Sequence, residues 1–365
     1  MLTQTQFDLA IIGGGPAGSS AAITAARLGA RVVLFEARDF PRHKVCGEFV
    51  SAEALDVLAN LLQELPTARA LLDAAPAIHR ARLFRGARQL EVPLSPAALS
   101  ITRYDLDAQL WLAAQVAGVE TLANCGVSAI EGEGPFRLTT PGGNYAAKAL
   151  IAAAGRWSRF MLDRTVPPGP GWIGVKGHFR ESNPGLWTDL YFFEHGYCGV
   201  QPVAEDLVNA CAMVRSDCAG SLQEVFRLHP KLSERAAGWM PVTSMVSTAP
   251  LIYRGAQPVR GNVLFAGDAA GFIDPFVGDG ISIALRSGQI AARCISKFLS
   301  AEAALPESVA SYQRQYTRQF APLLSVASRV RSLLSLPLIA RAAAWELLRL
   351  PGVMPLIIRR TRQAM

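Results

Sequence analysis

Apolar residues in this chain gather into short unbroken runs in some stretches and alternate with polar residues in others. Residues 8–12 (Asp8-Leu9-Ala10-Ile11-Ile12) form a run with a β-branched pair, the pattern of a parallel strand buried on both faces. Three glycines and Pro16 follow, then small residues (Ser19, Ser20, Ala21, Ala22, Ala25, Ala26) that suit a helix packed tightly on a sheet. A second run, Arg31 to Phe35, closes on Glu36. Arg103 opens an amphipathic helix with Leu106, Leu110 and Trp111 on one face. From residue 172 to 215 apolar stretches recur at Trp172–Lys176, His178–Arg180, Asp189–Glu194, Tyr197–Val203 and Leu207–Val214, which predicts an antiparallel sheet. Residues 80–93 read as a hairpin around Gly86, and Pro141-Gly142-Gly143-Asn144 as a turn in a small meander. Helices are expected over 221–240, from Gly278–Ile281 to Lys297, and across 305–365.

The strand, glycine turn and helix at the start of the chain carry chemistry. Gly13, Gly15 and Gly18 fit G-x-G-x-x-G at the mouth of a helix. Gly13 makes the turn, Gly15 lets the backbone approach a pyrophosphate, and Gly18 lets helix and strand pack closely. The helix start offers free N–H groups and the positive end of a dipole to phosphate. Glu36, eighteen residues beyond Gly18, stands where a carboxylate accepts from both ribose hydroxyls. A carboxylate there disfavours a 2′-phosphate. A purely structural glycine turn is the competing use.

A second glycine-and-aspartate element lies about 250 residues on: Gly261-Asn262-Val263-Leu264-Phe265-Ala266-Gly267-Asp268-Ala269-Ala270, continuing through Pro275, Gly278, Asp279, Gly280 and Ile281. Between the two lies Pro41-Arg42-His43-Lys44-Val45-Cys46-Gly47-Glu48. With that stretch as its most specific part, the chain resembles the geranylgeranyl-reductase-like flavoproteins, within the p-hydroxybenzoate-hydroxylase-type FAD superfamily, over most of residues 7–300. The resemblance implies an α/β fold: a Rossmann-like FAD-binding domain of the glutathione-reductase type, an inserted antiparallel β-sheet substrate domain and C-terminal helices. The FAD domain is expected at 1–75, 100–165 and 245–300, the substrate domain at 76–99 and 166–244, and the helical region at 301–365.

By the same resemblance Ala17, Glu36, Cys46, Gly47, Arg103, Val127, Asp268, Gly280 and Ile281 would contact FAD. Gly13, Gly15, Gly18, Arg42, Gly155 and Gly278 complete the expected cofactor set. Asp268 would accept from a ribityl hydroxyl; helix N-capping is its duller use, and one carboxylate can do both. The Gly278–Ile281 backbone would aim N–H groups at the isoalloxazine pyrimidine edge, where a positive helix end stabilises an anionic reduced flavin.

Composition narrows the class. The chain has 365 residues, 50% apolar and 18% charged, enough to bury a large core and too apolar to be disordered. No transmembrane span is legible and Met1–Gln6 lacks a basic signal region, so the cytoplasm is the default. Six cysteines show no C-x-x-C and no zinc-spaced histidines, which argues against metal sites, disulfides and an iron–sulfur cluster. Residues 321–365 hold seven arginines and one acid, nearly all of the chain's +7. This leucine-rich tail, with breaks at Pro337, Pro351 and Pro355, reads as basic amphipathic helices that could dock on the protein itself, a partner or an anionic membrane. A solvated basic face serves equally well, and no nucleic-acid module is recognisable.

Cys46 and Tyr197 are the candidates for catalysis. In the enzymes resembled here a cysteine like Cys46 acts near the substrate double bond; a small residue fitted against the flavin is the alternative. Tyr197, in Gly196-Tyr197-Cys198-Gly199-Val200-Gln201-Pro202, stands where relatives carry an aromatic-rich pocket motif, of which only the Gly-Tyr start and the proline survive; core packing competes. Arg42 and Lys44 could bind the pyrophosphate or pair with Glu48. Lys176 and His178 alternate with apolar neighbours and face a cavity or a solvent edge, with no role assigned. The tryptophan–isoleucine–proline motif of flavin halogenases is absent. Ala154, before Gly155, replaces the aspartate that nicotinamide-dependent hydroxylases of the superfamily use. The expected function is FAD-dependent hydride transfer at a carbon–carbon bond of a hydrophobic small molecule, fed by a nicotinamide or ferredoxin donor. A flavin monooxygenase of a lipophilic or aromatic metabolite, and an electron-relay or scaffold protein, are the alternatives.

Overall fold

The computed structural model describes residues 5–157, 169–252, 255–272 and 278–334. In chain order the first elements are β1 (Thr5–Ile12), α1 (Pro16–Arg27), β2 (Val32–Phe35), β3 (Phe49–Val50), α2 (Ala52–Leu62) and α3 (Pro66–Ala74). Then come β4 (Ala77–Arg85), β5 (Arg88–Ser100), α4 (Arg103–Val116), β6 (Glu120–Leu122), β7 (Ala129–Glu131), β8 (Phe136–Thr140) and β9 (Gly143–Ala152). A third group is β10 (Trp172–Arg180), β11 (Trp187–Phe193), β12 (Gly196–Ala204), β13 (Leu207–Arg215), α5 (Leu222–Arg227) and α6 (Pro230–Ala236). The chain continues through β14 (Met240–Pro241), β15 (Val246–Thr248), β16 (Val259–Arg260), β17 (Val263–Phe265), α7 (Gly280–Leu299) and α8 (Leu305–Leu334).

The strands form two sheets. The first runs β16-β17-β9-β1-β2-β6, with β8 and β7 added beside β9. Its central strands are parallel, and Leu9 to Ile12 are fully or almost fully buried because both faces are covered: Leu9 and Ile11 pack on α1, α4 and α7, and Ala10 and Ile12 on Val127 and the meander residues Phe136 and Leu138. Register aligns the carboxyl ends: Ile12 lies opposite Phe35 on one side and Ala152 on the other, and Ala152 lies opposite Phe265. Loops leaving those ends are tied in sequence by Gly13 N–H to Phe35 (2.7 Å), Ala153 N–H to Ile12 (2.7 Å) and Ala266 N–H to Ala152 (3.0 Å). The crevice at this edge is where an open α/β sheet binds its ligand.

The second sheet runs β14-β10-β13-β12-β11-β4-β5-β3. The expected hairpin at Gly86 is β4–β5, pairing Arg85 with Arg88. Two expectations are revised. Trp172–Lys176 and His178–Arg180 are one strand, since Gly177 continues the ladder opposite Ala210. The sheet is also not wholly antiparallel: β11 and β4 pair in parallel, Leu190 against Leu83, because each enters the sheet after a separate excursion of the chain rather than through a shared hairpin. β3 pairs with β5 (Phe49 opposite Ser100), so the loop before Phe49 is stitched to this sheet while its start follows β2 of the first.

Packing between α1 and α7 is close. A Cβ at Gly288 would lie 2.2 Å from the Ala17 carbonyl oxygen, and Ser20 Oγ donates to the Leu285 carbonyl at 2.6 Å. Among the described residues no helix is long and apolar enough to cross a membrane. The expected breaks at Pro337, Pro351 and Pro355 lie outside the described residues.

Gly288→Ala should cost about 1–3 kcal/mol, because the clash is with backbone that cannot swing aside; the urea midpoint reads it, and an unchanged midpoint would contradict the contact. His229 is buried, neither ring nitrogen has a hydrogen-bond partner among the described residues, and its ring lies edge-on to Tyr191 at 5.3 Å. Burial, with Lys231 nearby, lowers its pKa from 6.5. The unfolded chain therefore takes up the proton first, so stability is full above about pH 6.5 and declines as pH falls below it. Urea midpoints at pH 7.5 and 5.5 should differ less in His229→Phe than in the parent.

Candidate functional site

The crevice at the carboxyl ends of the first sheet is shaped by its glycines. Gly13 has φ +105°, and its missing Cβ would strike the Ala153 carbonyl oxygen at 2.5 Å; a Cβ at Gly18 would sit 1.8 Å from the Gly13 oxygen. Gly15 differs from both. A Cβ there would meet nothing nearer than Lys44 Nζ at 3.8 Å and Arg103 Nη2 at 3.9 Å. The space before Gly15 is thus bounded by the start of α1 and two cations, a donor set matched to phosphate oxygens.

Those cations share one carboxylate. Arg103 holds Asp107 through both oxygens (2.7 and 2.8 Å), and Lys44 Nζ reaches Asp107 Oδ2 at 2.6 Å. Asp107 is fully buried; burial would raise its carboxyl, but Arg103 and Lys44 hold it below the usual range. Two positive groups on one negative leave the cradle a net positive charge. Burial and the neighbouring Arg103 and Arg42 outweigh Asp107 and lower the Lys44 ammonium from its ordinary value.

Glu36 directly follows β2, one residue past the strand end, accepting from Gly14 N–H at 3.0 Å through one oxygen and from Arg42 at 2.9 Å through the other. Arg42 and Lys44 therefore pair with Glu36 and Asp107, and neither meets Glu48. Val127 is buried among Phe35, Val33 and Leu138 beneath the same edge. Ala17 packs where a Cβ on Gly267 would touch it at 2.9 Å. Gly155 (φ +69°) follows β9 and brings Arg156 to Asp268 at 3.9 Å. Asp268 is not a helix N-cap: it sits inside a short turn, Gly267–Ala269, capped by Ala266. Its side chain is 44% exposed yet ringed by protein, the situation of a group lining a deep cleft, and burial raises its pKa against the pull of Arg156 and Arg103. Gly278 (φ +76°) presses on Phe49, where an added Cβ would lie 3.0 Å from the ring, and Gly280 and buried Ile281 begin α7 behind it.

The centre of the loop before β3 is Glu48. It is fully buried, and its φ of +63° is a left-handed conformation that costs a side-chain-bearing residue about 1–3 kcal/mol. Three donors hold it: Arg103 N–H at 2.7 Å, the Lys176 ammonium, and His178 Nε2 at 2.7 Å. Burial alone would raise its carboxyl; the His178 hydrogen bond and Lys176 charge carry it below its ordinary 4.5. Lys176 and His178 are 1% and 2% exposed, so the solvent-edge reading is excluded. Cys46 lies beside them: Glu48 N–H points to its Sγ at 3.3 Å, the Arg103 guanidinium is its neighbour, and Asn209 donates to its carbonyl at 3.0 Å. Gly47 is exposed, with open space around it.

Register puts Gly174, Lys176 and His178 of β10 across from Met213, Cys211 and Asn209 of β13, and these across from Tyr197, Gly199 and Gln201 of β12. All nine share the face turned toward the Cys46–Glu48 loop. One end of that face is polar (Lys176, His178, Asn209, Gln201). The other is apolar: buried Tyr197 and Met213 cluster with Phe192, Leu83, Val92 and Leu251, with Trp172 and Phe272 against them. Sequence reasoning missed Glu48, Lys176, His178 and Asp107 as a set. The two-residue spacing of Lys176 and His178 in an apolar strand, and an acid at 107 on an otherwise apolar helix face, were the available signals.

A family model described as pyridine nucleotide-disulphide oxidoreductase matches residues 7–171. The menaquinone reductase of Mycolicibacterium smegmatis is 27% identical, over 97% of this chain and 91% of that protein. Digeranylgeranylglycerophospholipid reductase 2 of Methanopyrus kandleri is 26% identical, over 90% and 87%. The solved flavin-dependent brominase Bmp2 superposes with a TM-score of 0.81 at 20% identity, covering 98% of this chain and 93% of its own, a likeness of fold.

Glu48→Gln should cost about 3–5 kcal/mol, because it leaves the Lys176 cation buried without its partner. Glu48→Gln combined with Lys176→Met should recover part of that loss. Equal destabilisation by the single and double variants in a urea melt would show that the pair is not coupled.

Proposed function

We propose that this chain, which belongs to the FAD-dependent oxidoreductase superfamily and is an enzyme of that class, reduces a carbon–carbon double bond in a hydrophobic small molecule. FAD is its cofactor, supplying a hydride donor or acceptor when bound. The residues present fit it. Gly15 opens onto a cradle with Lys44 and Arg103 at its back, the chemistry of a pyrophosphate site. Glu36 would take the ribose, Ala17 and Val127 would line the adenosine half, and Asp268 would face the ribityl chain. Cys46, Gly47, Gly280 and Ile281 would border the reactive ring. Arg42 fixes Glu36, so its part would be to orient that carboxylate.

The observation that carries the reading is the divided face of the second sheet. Its apolar end, with Tyr197 and Met213, suits a lipophilic chain and excludes water. Its polar end brings protonatable groups within reach of Cys46. A hydrogenation needs both: a dry place for the bond and a source of protons. The names of two relatives, menaquinone reductase and digeranylgeranylglycerophospholipid reductase, point to polyprenyl groups, and we take an unsaturated isoprenoid as the substrate class. Ala154, in the position of the hydroxylases' aspartate, favours a reduced-protein donor over direct nicotinamide. The basic tail would serve for contact with the membrane in which such lipids reside.

Purified protein reduced anaerobically with dithionite and mixed with a menaquinone of polyprenyl tail should yield product with two added hydrogens. Substrate-stimulated NADH or NADPH oxidation with oxygen uptake would instead establish a monooxygenase, and no turnover with any donor would leave a flavin-binding scaffold. Gly15→Val should lose yellow colour on purification while remaining folded; full flavin content would refute the cradle. Cys46→Ala should keep its flavin and lose turnover about a hundredfold if the thiol acts on substrate; full activity would reduce Cys46 to packing.

A further inference from the structure

Aromatic and imidazole rings lead from the buried groups around Glu48 toward the surface. The His178 ring, bonded to Glu48, meets the His43 ring edge-on at 5.2 Å between centroids. His43 is half-buried and lies at 4.9 Å from the ring of Tyr104, itself 39% exposed. His43 Nδ1 is buried and makes no hydrogen bond among the described residues. From solvent inward the order is therefore Tyr104 and His43 at the rim, then His178, Glu48 and Lys176, each of the last three almost wholly enclosed.

We propose that His43, His178, Glu48 and Lys176 form a proton path from solvent to the substrate side of the site, with His43 as its outer end. The proposal rests on the reductase reading for its purpose. Saturating a carbon–carbon double bond places a hydride from the reduced cofactor on one carbon and the displaced π pair on the other, which must take a proton. The electron donor supplies two electrons per turnover but need not supply that proton at the right place. The Lys176 ammonium gives it up; Glu48 and His178 return one to Lys176, and His43 recharges His178 from solvent. Rotation of the His43 ring, or one bridging water, spans the remaining gap. Glu48 suits the middle position because both of its oxygens already hold a donor, one from each neighbour in the sequence of transfer.

The outer residue also has the electrical character a carrier needs. Burial comes first in lowering its pKa, followed by the charges of Lys176 and His178, while Glu48 and the exposed Asp105 oppose them. His43 is thus poised as a neutral ring at pH 7 that senses the charge state of the inner groups. Asn209, paired with His178 across the strands, holds the Cys46 carbonyl and keeps the path against the loop.

The test has one arm that needs no substrate. The chain has five histidines, so ring-labelled protein with flavin bound gives few signals to follow. Lys176→Met should move the His43 titration midpoint up by about half a pH unit or more; His178→Asn should do the same and serves if the first variant folds poorly. A His43 midpoint unmoved in both would overturn the path. In the second arm, with polyprenyl menaquinone as probe, His43→Ala should keep its flavin and melting temperature yet lose about tenfold or more in turnover. Added imidazole should restore that turnover, most strongly at pH values where imidazolium is abundant. Normal turnover in His43→Ala, or a loss that imidazole does not repair, would overturn it. Failure of the wild type to reduce the probe would sink the reductase reading alone, and the ring titrations would still decide the path.

Discussion

One buried carboxylate joins the two sheets. Glu48 leaves a loop that begins at the edge of the parallel sheet, and it receives a main-chain N–H from the start of α4 and two side chains from β10. Taking a carboxylate, an ammonium and an imidazole out of water costs several kcal/mol, recovered only when every partner is in place. The arrangement is therefore all or nothing: the loop, the α4 terminus and the strand must meet at one distance or the charges are stranded. That requirement fixes how the second sheet sits over the crevice, and the left-handed backbone at Glu48 is the local strain accepted to achieve it.

The same economy of acids recurs nearby. Asp107 serves both Lys44 and Arg103, and Glu36 serves both Gly14 and Arg42. Each acid is enclosed; Glu36 is balanced by Arg42, whereas Asp107 faces two cations, so the crevice keeps a positive surplus at the Lys44–Arg103 cradle beside Gly15 and Cys46. A dianionic pyrophosphate and an anionic reduced flavin both fit such a field, which weakens little with salt because the groups are shielded from solvent. At the far side of the crevice the field gives way to Tyr197, Met213 and Phe192, where an uncharged hydrocarbon loses nothing by leaving water.

Much of this could be read along the chain. The Gly13–Gly18 turn, the helix at Pro16 and the acid at 36 lie within one βαβ unit, and their spacing alone imposes their relation. The hairpin at Gly86 and the buried face of α4 follow from short-range pattern for the same reason. By contrast, Lys176 and His178 looked equally suited to a solvent edge, because alternation names two faces without saying which is covered. The parallel pairing of β11 with β4 was also out of reach, since it joins segments about a hundred residues apart.

Local spacing, then, determined by itself a dinucleotide crevice, its glycines and its ribose acid, because residues close in sequence can reach each other in only a few ways. The tertiary structure alone decided the partners of the charges: that Lys44 turns to Asp107, Arg42 to Glu36, and Glu48 to two side chains nearly 130 residues away. Ion pairs form between groups of complementary sign wherever packing brings them within about 3 Å, and nothing in a linear pattern of charge says which will be brought there.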